Sequence, residues 1–247
     1  MHNFFVNETA RQGDNFFITG ADFNHIKNVL RMKVGESFLV SLDNVSHLCE
    51  LAEIREDIAV AHIITENYQN TNLPIKIYLF QGLPKSDKLE LIIQKAVELG
   101  AECIIPTEMT NCVVKLDNKK KASKVARWQA IAESAAKQSK RSFIPTVHEV
   151  LSYKDALKMA SELDLLLVPY ECKNGMEATK EALKEIKSGM SVGIIIGAEG
   201  GFTENEIALA KENGGKIISL GKRILRAETA AITSVAMCML YAEMNLE

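Results

Sequence analysis

The sequence predicts an α/β protein in two parts: a small β-rich domain over 1–72, then a larger domain over 73–247 built on a parallel sheet. Three observations carry this. Beyond residue 74, short and nearly continuous apolar runs alternate with amphipathic or capped helical stretches, as strands buried between crossover helices require. Before it, short β-rich runs are separated by turn-like or charged stretches. Between the two, ENYQNTNLP (66–74) is polar and turn-rich, and marks the boundary. A chain of 247 residues suits one to two domains with a sizeable core.

In order along the chain, DFNHIKNVLRM (22–32) reads as a helix with Phe23, Ile26, Val29 and Leu30 on one face and Asp22 as its cap. SFLVSL, HLCELAEI and DIAVAHII follow as strands of a compact barrel or sandwich. IKIYLFQGL (75–83) is a strand and DKLELIIQKAVELG (87–100) a helix ended by Gly100. AECIIPT is a strand, and about Ser123 to Ser139 a helix. LDLLLVPYE (163–171) and MSVGIIIGAEGG (190–201) carry apolar strand cores. TENEIALAKENGG (203–215) is a helix with a Thr203–Glu206 capping box and a Phe202–Ile207 staple. KIISLG is a last strand, and Thr229–Asn245 a closing helix.

Composition excludes several classes. A mean hydropathy near zero with only 5 Pro and 14 Gly excludes a disordered or fibrous chain. A formal charge of −3 excludes a uniformly basic nucleic-acid binder. Cys49, Cys103, Cys112, Cys172 and Cys238 form no CxxC pair and read as buried thiols of a reducing cytosol. The five histidines show no ligand spacing, so no metal is expected. MHNFFVNETA lacks a signal-peptide pattern and no apolar run nears the ~18 residues that span a bilayer, which predicts a cytoplasmic protein without membrane partners.

Open α/β sheets bind ligands at the carboxyl ends of their strands. Three such ends carry unusual sequence: VPYE (168–171), IGAEGGFT (196–203) and SLGKRILRAETA (219–230). Gly197, Gly200 and Gly201 allow close backbone approach and lead into a helix N-terminus. Their spacing is neither GxGxxG nor a Walker loop, which disfavours a dinucleotide oxidoreductase and a P-loop NTPase. Read alone, a Gly-rich turn is as often structural as functional. Two such turns beside RILRAETA favour a ligand site. Arg223, Arg226 and Glu228 stand at the entrance of a helix that is apolar or small nearly all round, so they are paired or touch a ligand. The plain alternative is an Arg226–Glu228 surface pair.

QKAVELG (94–100), IGAEGGFTENE (196–206) and LGKRILRAETAA (220–231), with HIKNVLRMKVGE (25–36) and KQSKRSFIP (137–145), resemble the RsmE family of 16S rRNA (uracil-N3)-methyltransferases in the SPOUT superfamily. The resemblance runs nearly end to end. It implies a PUA-like β-barrel for RNA, then a SPOUT-type parallel sheet with a C-terminal trefoil knot. It also implies S-adenosyl-L-methionine as cofactor, 16S rRNA or the small ribosomal subunit as partner, and a homodimer through the knot region. By the same resemblance the donor site comprises Leu167, Val168 and Pro169; Gly197, Glu199, Gly200 and Gly201; Leu220 and Gly221; and Ile224, Leu225, Arg226, Thr229 and Ala230.

Uridine N3 bears a proton, so a methylating site must remove it or stabilise the developing anion. Arg226 is assigned to the uracil oxygens, Glu228 to orienting Arg226, and Glu199 is a candidate base, equally readable as a residue of the turn before the next helix. The resemblance is imperfect where Ala198 replaces a usual proline, where Asn111 and Asn3 replace common arginines, and where Lys140 replaces a small residue. The alternatives are a SPOUT enzyme acting on a ribose 2′-hydroxyl and a non-catalytic RNA-binding scaffold; a scaffold has no need of a donor-shaped glycine loop.

Charge is unevenly placed. Residues 1–72 balance at −5, whereas 115–141 hold nine basic residues and two acidic ones. Lys119, Lys120, Lys121, Lys124, Arg127, Lys137, Gln138 and Arg141 are therefore predicted to contact RNA, with Lys27, Arg31 and Lys33 as a second patch. On the 123–140 helix, Val125, Trp128, Ile131, Ala132 and Ala135 form the inner face. Engaging about four charges predicts a log–log salt slope near −3 at ~0.7 per phosphate.

Overall fold

A computed structural model describes residues 1–170 and 175–246. Glu171 of the VPYE strand end and Cys172 lie outside the described residues. The chain divides into two compact units, Met1–Asn72 with Ala136–Ile144, and Leu73–Ala135 with Pro145–Glu247. The segment 136–144, placed by the sequence reading within a continuous 73–247, groups with the first unit. Its ties are specific: buried Asn3 donates from Nδ2 to Arg141 O (2.8 Å), and Ser142 Oγ donates to Asn72 Oδ1 (2.8 Å).

The first unit is a six-stranded sheet of β1 (Asn3–Phe5), β2 (Arg11–Gln12), β3 (Asn15–Ile18), β4 (Ser37–Leu42), β5 (Val45–Ile54) and β6 (Ala59–Thr65), in the order β1-β4-β5-β6-β3-β2. β1 pairs parallel with β4; all other pairs are antiparallel. Two register shifts in the β5–β6 ladder curl the sheet around Phe4, Phe16, Phe38, Cys49 and Leu51. The expected 22–32 helix is shorter and broken. α1 (Gly20–Asn24) passes into a π-helical turn at His25–Val29, and Arg31 ends it at φ 54°. The wider turn keeps Ile26 fully buried and leaves Phe23 and Leu30 against the core, but rotates Val29 out to 61% exposure. Thr19, not Asp22, is the N-cap residue; the Asp22 carboxylate accepts from Lys137 Nζ (3.3 Å).

The second unit alternates β7 (Lys76–Gly82), α2 (Lys88–Glu98), β8 (Ala101–Glu108), α3 (Asn118–Ser139), β9 (Thr146–Val147), β10 (Leu151–Ser152), α4 (Tyr153–Ala160), β11 (Leu165–Pro169), α5 (Glu177–Lys184), β12 (Ser191–Ile196), α6 (Glu204–Glu212), β13 (Lys216–Ile218) and α7 (Ala227–Asn245). The last turn of α3 counts with the first unit. The sheet runs β10-β8-β7-β12-β11-β13, with β9 also on β8, and every pair is parallel. Strand cores such as Ile194 and Ile195 are fully buried, which explains their unbroken apolar runs. α7 packs on α2 and over β7 and β12. α3 begins five residues before the predicted start, and α7 two before, because Arg226 rather than Glu228 occupies the N-cap.

Candidate functional site

β12, β11 and β13 are neighbours, so their carboxyl ends open side by side. A cavity of about 690 Å³ lies there, within the size range of small-molecule sites. The turn after β12, Pro169 and Tyr170 after β11, and the segment 219–227 after β13 line it. Thr179 of α5 fixes where the last segment departs: its hydroxyl donates to Ser219 O (2.7 Å) and accepts from Ser219 N–H (2.9 Å).

The glycine turn is shaped by close approach. A Cβ at Gly200 would stand 2.7 Å from Asn111 Cβ, and one at Gly82 2.6 Å from Ala198 N. Asn111 Nδ2 donates to Gly200 O (3.0 Å) and Gly201 O (3.3 Å), so this departure from the family pattern ties the turn down. The capping box forms as predicted. The buried Glu206 carboxylate accepts from Thr203 N–H (2.8 Å) and also from Thr110 N–H (2.8 Å), joining the turn after β8 to α6. Burial alone would raise the Glu206 carboxyl; these hydrogen bonds outweigh it and hold it below the ordinary range.

Of the predicted donor residues, Pro169, Gly197, Glu199, Gly200 and Gly201 line the cavity, as do Leu220, Gly221, Ile224, Leu225, Arg226 and Ala230. Leu167 and Val168 do not: both are fully buried inside β11. Thr229 is also off the lining, on an exposed side of α7. Arg223, read from the sequence as a charge at the helix entrance, also lines the cavity, whereas sequence reasoning left Lys88 and Phe202 out of the site. Lys88 carried a readable signal, since it opens the helix that follows β7, at the same end of the sheet.

Lys88 changes the expected roles of the two glutamates. Its Nζ lies 3.1 Å from Glu199 Oε1 and 3.7 Å from Glu228 Oε2. Glu228 therefore does not orient Arg226, as the sequence reading had it. It stands in the first turn of α7, which packs on α2, and so meets the lysine at the start of α2. Glu199 Oε1 also accepts from Lys85 N–H (2.9 Å). Burial would raise the Glu199 carboxyl, but these hydrogen bonds hold it below its usual value, which makes it a weak base already ionised at neutral pH. Arg226 is exposed, lines the cavity and makes no side-chain hydrogen bond or ion pair among the described residues.

The predicted RNA contacts divide. Lys120 pairs with Asp117 (3.2 Å), Lys121 with Glu108 (2.8 Å) and Arg127 with Glu90 (2.8 Å). In the first unit Lys137 pairs with Asp22, and Gln138 is exposed. Arg141 is a correction. Only 3% exposed, with its guanidinium 4.5 Å from the Phe143 ring centre, it is part of the packing and is no surface contact. Lys119 and Lys124 make no side-chain bond among the described residues. Arg31 and Lys33 are exposed, and Lys27 lies over the Phe23 ring.

Among the described residues no three His, Cys, Asp or Glu side chains gather to hold a metal, and no helix is long and apolar enough to cross a membrane. An RNA methyltransferase domain family matches residues 71–239, and an RNA methyltransferase PUA domain family matches 18–64. The chain is 40% identical over 243 residues to the ribosomal RNA small subunit methyltransferase E of Bacillus subtilis (strain 168), covering 96% of this chain and 95% of that one. It is 36% identical over 240 residues to the methyltransferase of the same name in Mesomycoplasma hyopneumoniae (strain 232), covering 97% and 99%. The crystal structure of the Neisseria gonorrhoeae ribosomal RNA small subunit methyltransferase E bound to S-adenosyl methionine superposes with a TM-score of 0.81 at 31% identity, over 97% of each chain.

Proposed function

This chain belongs to the ribosomal RNA small subunit methyltransferase E family, and on that premise we propose that it methylates 16S rRNA at N3 of a uridine, with S-adenosyl-L-methionine as donor. The observation that carries the reading is the cavity at three adjacent strand ends, walled by a glycine turn that admits no larger residue at Gly200. The cavity fits the donor in size and in the backbone groups it presents. Gly197 to Gly201, Leu220, Gly221 and the 224–230 segment would hold the donor, with Pro169 and Tyr170 closing one side. When bound, the donor supplies an electrophilic methyl group.

The chain's own groups do the rest. Among the described residues the five N–H donors of Arg226 have no partner, and they serve the uracil oxygens and steady the anion left when the N3 proton passes to water. Glu199, held ionised by Lys85 and Lys88, anchors the turn and is not the proton acceptor. The first unit is the PUA-like RNA-binding domain. The second carries the trefoil knot of SPOUT enzymes. Two copies pair through α7, whose Leu240 and Met244 are 48% and 72% exposed. The protein acts in the cytoplasm.

Digestion and mass analysis of 16S rRNA treated with the protein tests this directly. A methyl group on uracil N3 is the expected product. One on a ribose hydroxyl would assign a different acceptor atom, and donor binding without any methylation would leave a scaffold.

A further inference from the structure

A second, smaller slot of about 150 Å³ lies beside the donor cavity in the same unit. Its floor is apolar: Trp128 is 4% exposed and Leu89 2%. Its polar lining is Asp87, Ser86 and Lys124. We propose that this slot is a base-binding subsite, taking one unstacked base of the RNA next to the target uridine. The occupant's source rests on the reading of the protein as an RNA methyltransferase.

Size excludes the donor. Sites for ligands of that bulk run to about 300–1,000 Å³, whereas this slot equals roughly five water volumes at ~30 Å³ each. A single flat base is the fitting shape, with the indole and aliphatic walls against its face. The polar groups point to the edge it presents. Neither the Asp87 carboxylate nor the Lys124 ammonium makes a hydrogen bond or ion pair among the described residues, although both line one slot and Arg127 lies within electrostatic reach of Asp87. Elsewhere on this helix the cations close on carboxylates, as Lys120 does on Asp117 and Arg127 on Glu90. An open acceptor beside an open donor suits a base edge bearing both a hydrogen-bond donor and an acceptor, which every RNA base presents.

Position supports the pairing of the two cavities. Lys88 lines the donor cavity, while its chain neighbours Asp87 and Leu89 line the slot. The two sites thus share a wall at the start of α2, entered through Ser86 in a left-handed conformation (φ 56°).

Trp128 is the single tryptophan of the chain, so its fluorescence reads occupancy of the slot without any methyl transfer. Titration with CMP or GMP should quench it saturably. Ribose 5-phosphate, which carries no base, should not quench. Asp87→Asn, which retains a good residue at the α2 N-cap, and Lys124→Ala should each weaken CMP or GMP at least fivefold, with donor affinity by calorimetry unchanged. Equal quenching by ribose 5-phosphate, nucleotide binding indifferent to both variants, or no quenching at all would overturn the subsite. Failure of the wild-type protein to bind S-adenosylmethionine would instead sink the methyltransferase reading, and the fluorescence titration reports on the slot in either case.

Discussion

The donor cavity and the basic stretch over 115–141 lie in the same chain but are built by opposite means. The cavity takes part of its wall from backbone: a glycine turn, a left-handed Gly221, and the start of a helix. The basic stretch is made of long side chains, and part of its +7 is neutralised by carboxylates from outside it, Glu108, Glu90 and Asp22. A site built of backbone is specified by residues close in sequence. One built of charge depends on which carboxylates the fold carries alongside.

Four measurements would break or sharpen that contrast. The largest effect is expected at Arg226, the side chain the backbone site leaves free. Arg226→Ala should lower kcat by roughly 10²–10³-fold with RNA saturating, the loss typical of one donor to developing charge. Wild-type turnover would remove Arg226 from the mechanism. Next, Gly200→Ala forces a methyl group against Asn111 and should weaken donor binding roughly 10–100-fold by calorimetry, from overpacking of about 1–3 kcal/mol.

Glu206 tests the support of the turn. Its folded pKa is lowered, so the stability it contributes is present above the unfolded value of about 4.3 and is lost as pH falls through the folded value. Glu206→Gln should cost about 1–3 kcal/mol in urea melts at pH 7, with the gap to wild type closing below about pH 4. A gap independent of pH would mean that the charge is not what the hydrogen bonds hold. The smallest effects belong to the basic stretch. Lys119→Ala should reduce the salt slope of RNA binding by ~0.7, and Arg127→Ala, already paired with Glu90, by clearly less. Equal reductions would show that the internal ion pairs open when RNA binds. If those pairs instead stay closed, the wild-type slope should be shallower than the roughly −3 expected from four engaged charges, because fewer of these cations are free.

Much of the second unit was legible because its signals are local. Buried parallel strands announce themselves as unbroken apolar runs, and Thr203–Glu206 is a capping box within one turn. α4 and α5 escaped notice because each is eight residues long, too short for a clear period. The 22–32 helix failed for another reason. Packing Ile26 into the first unit's core required a π-helical turn, and no period counted along the chain contains that. At the site, the glycine turn and Arg226 were readable, whereas Lys88 bridging Glu199 and Glu228 was not. Those residues are 111 and 140 positions from Lys88.

By itself the sequence determined the alternation of strands and helices and the strand-end motifs that wall the cavity. All depend on apolar period, capping and glycine, which act within a turn or two of chain. The tertiary structure alone decided which charges are free. Arg226 and Lys124 remain open, Glu228 turns to Lys88, and Arg141 sinks under Phe143. An ion pair forms between groups a few ångströms apart in space, and that distance exists only once the chain has folded.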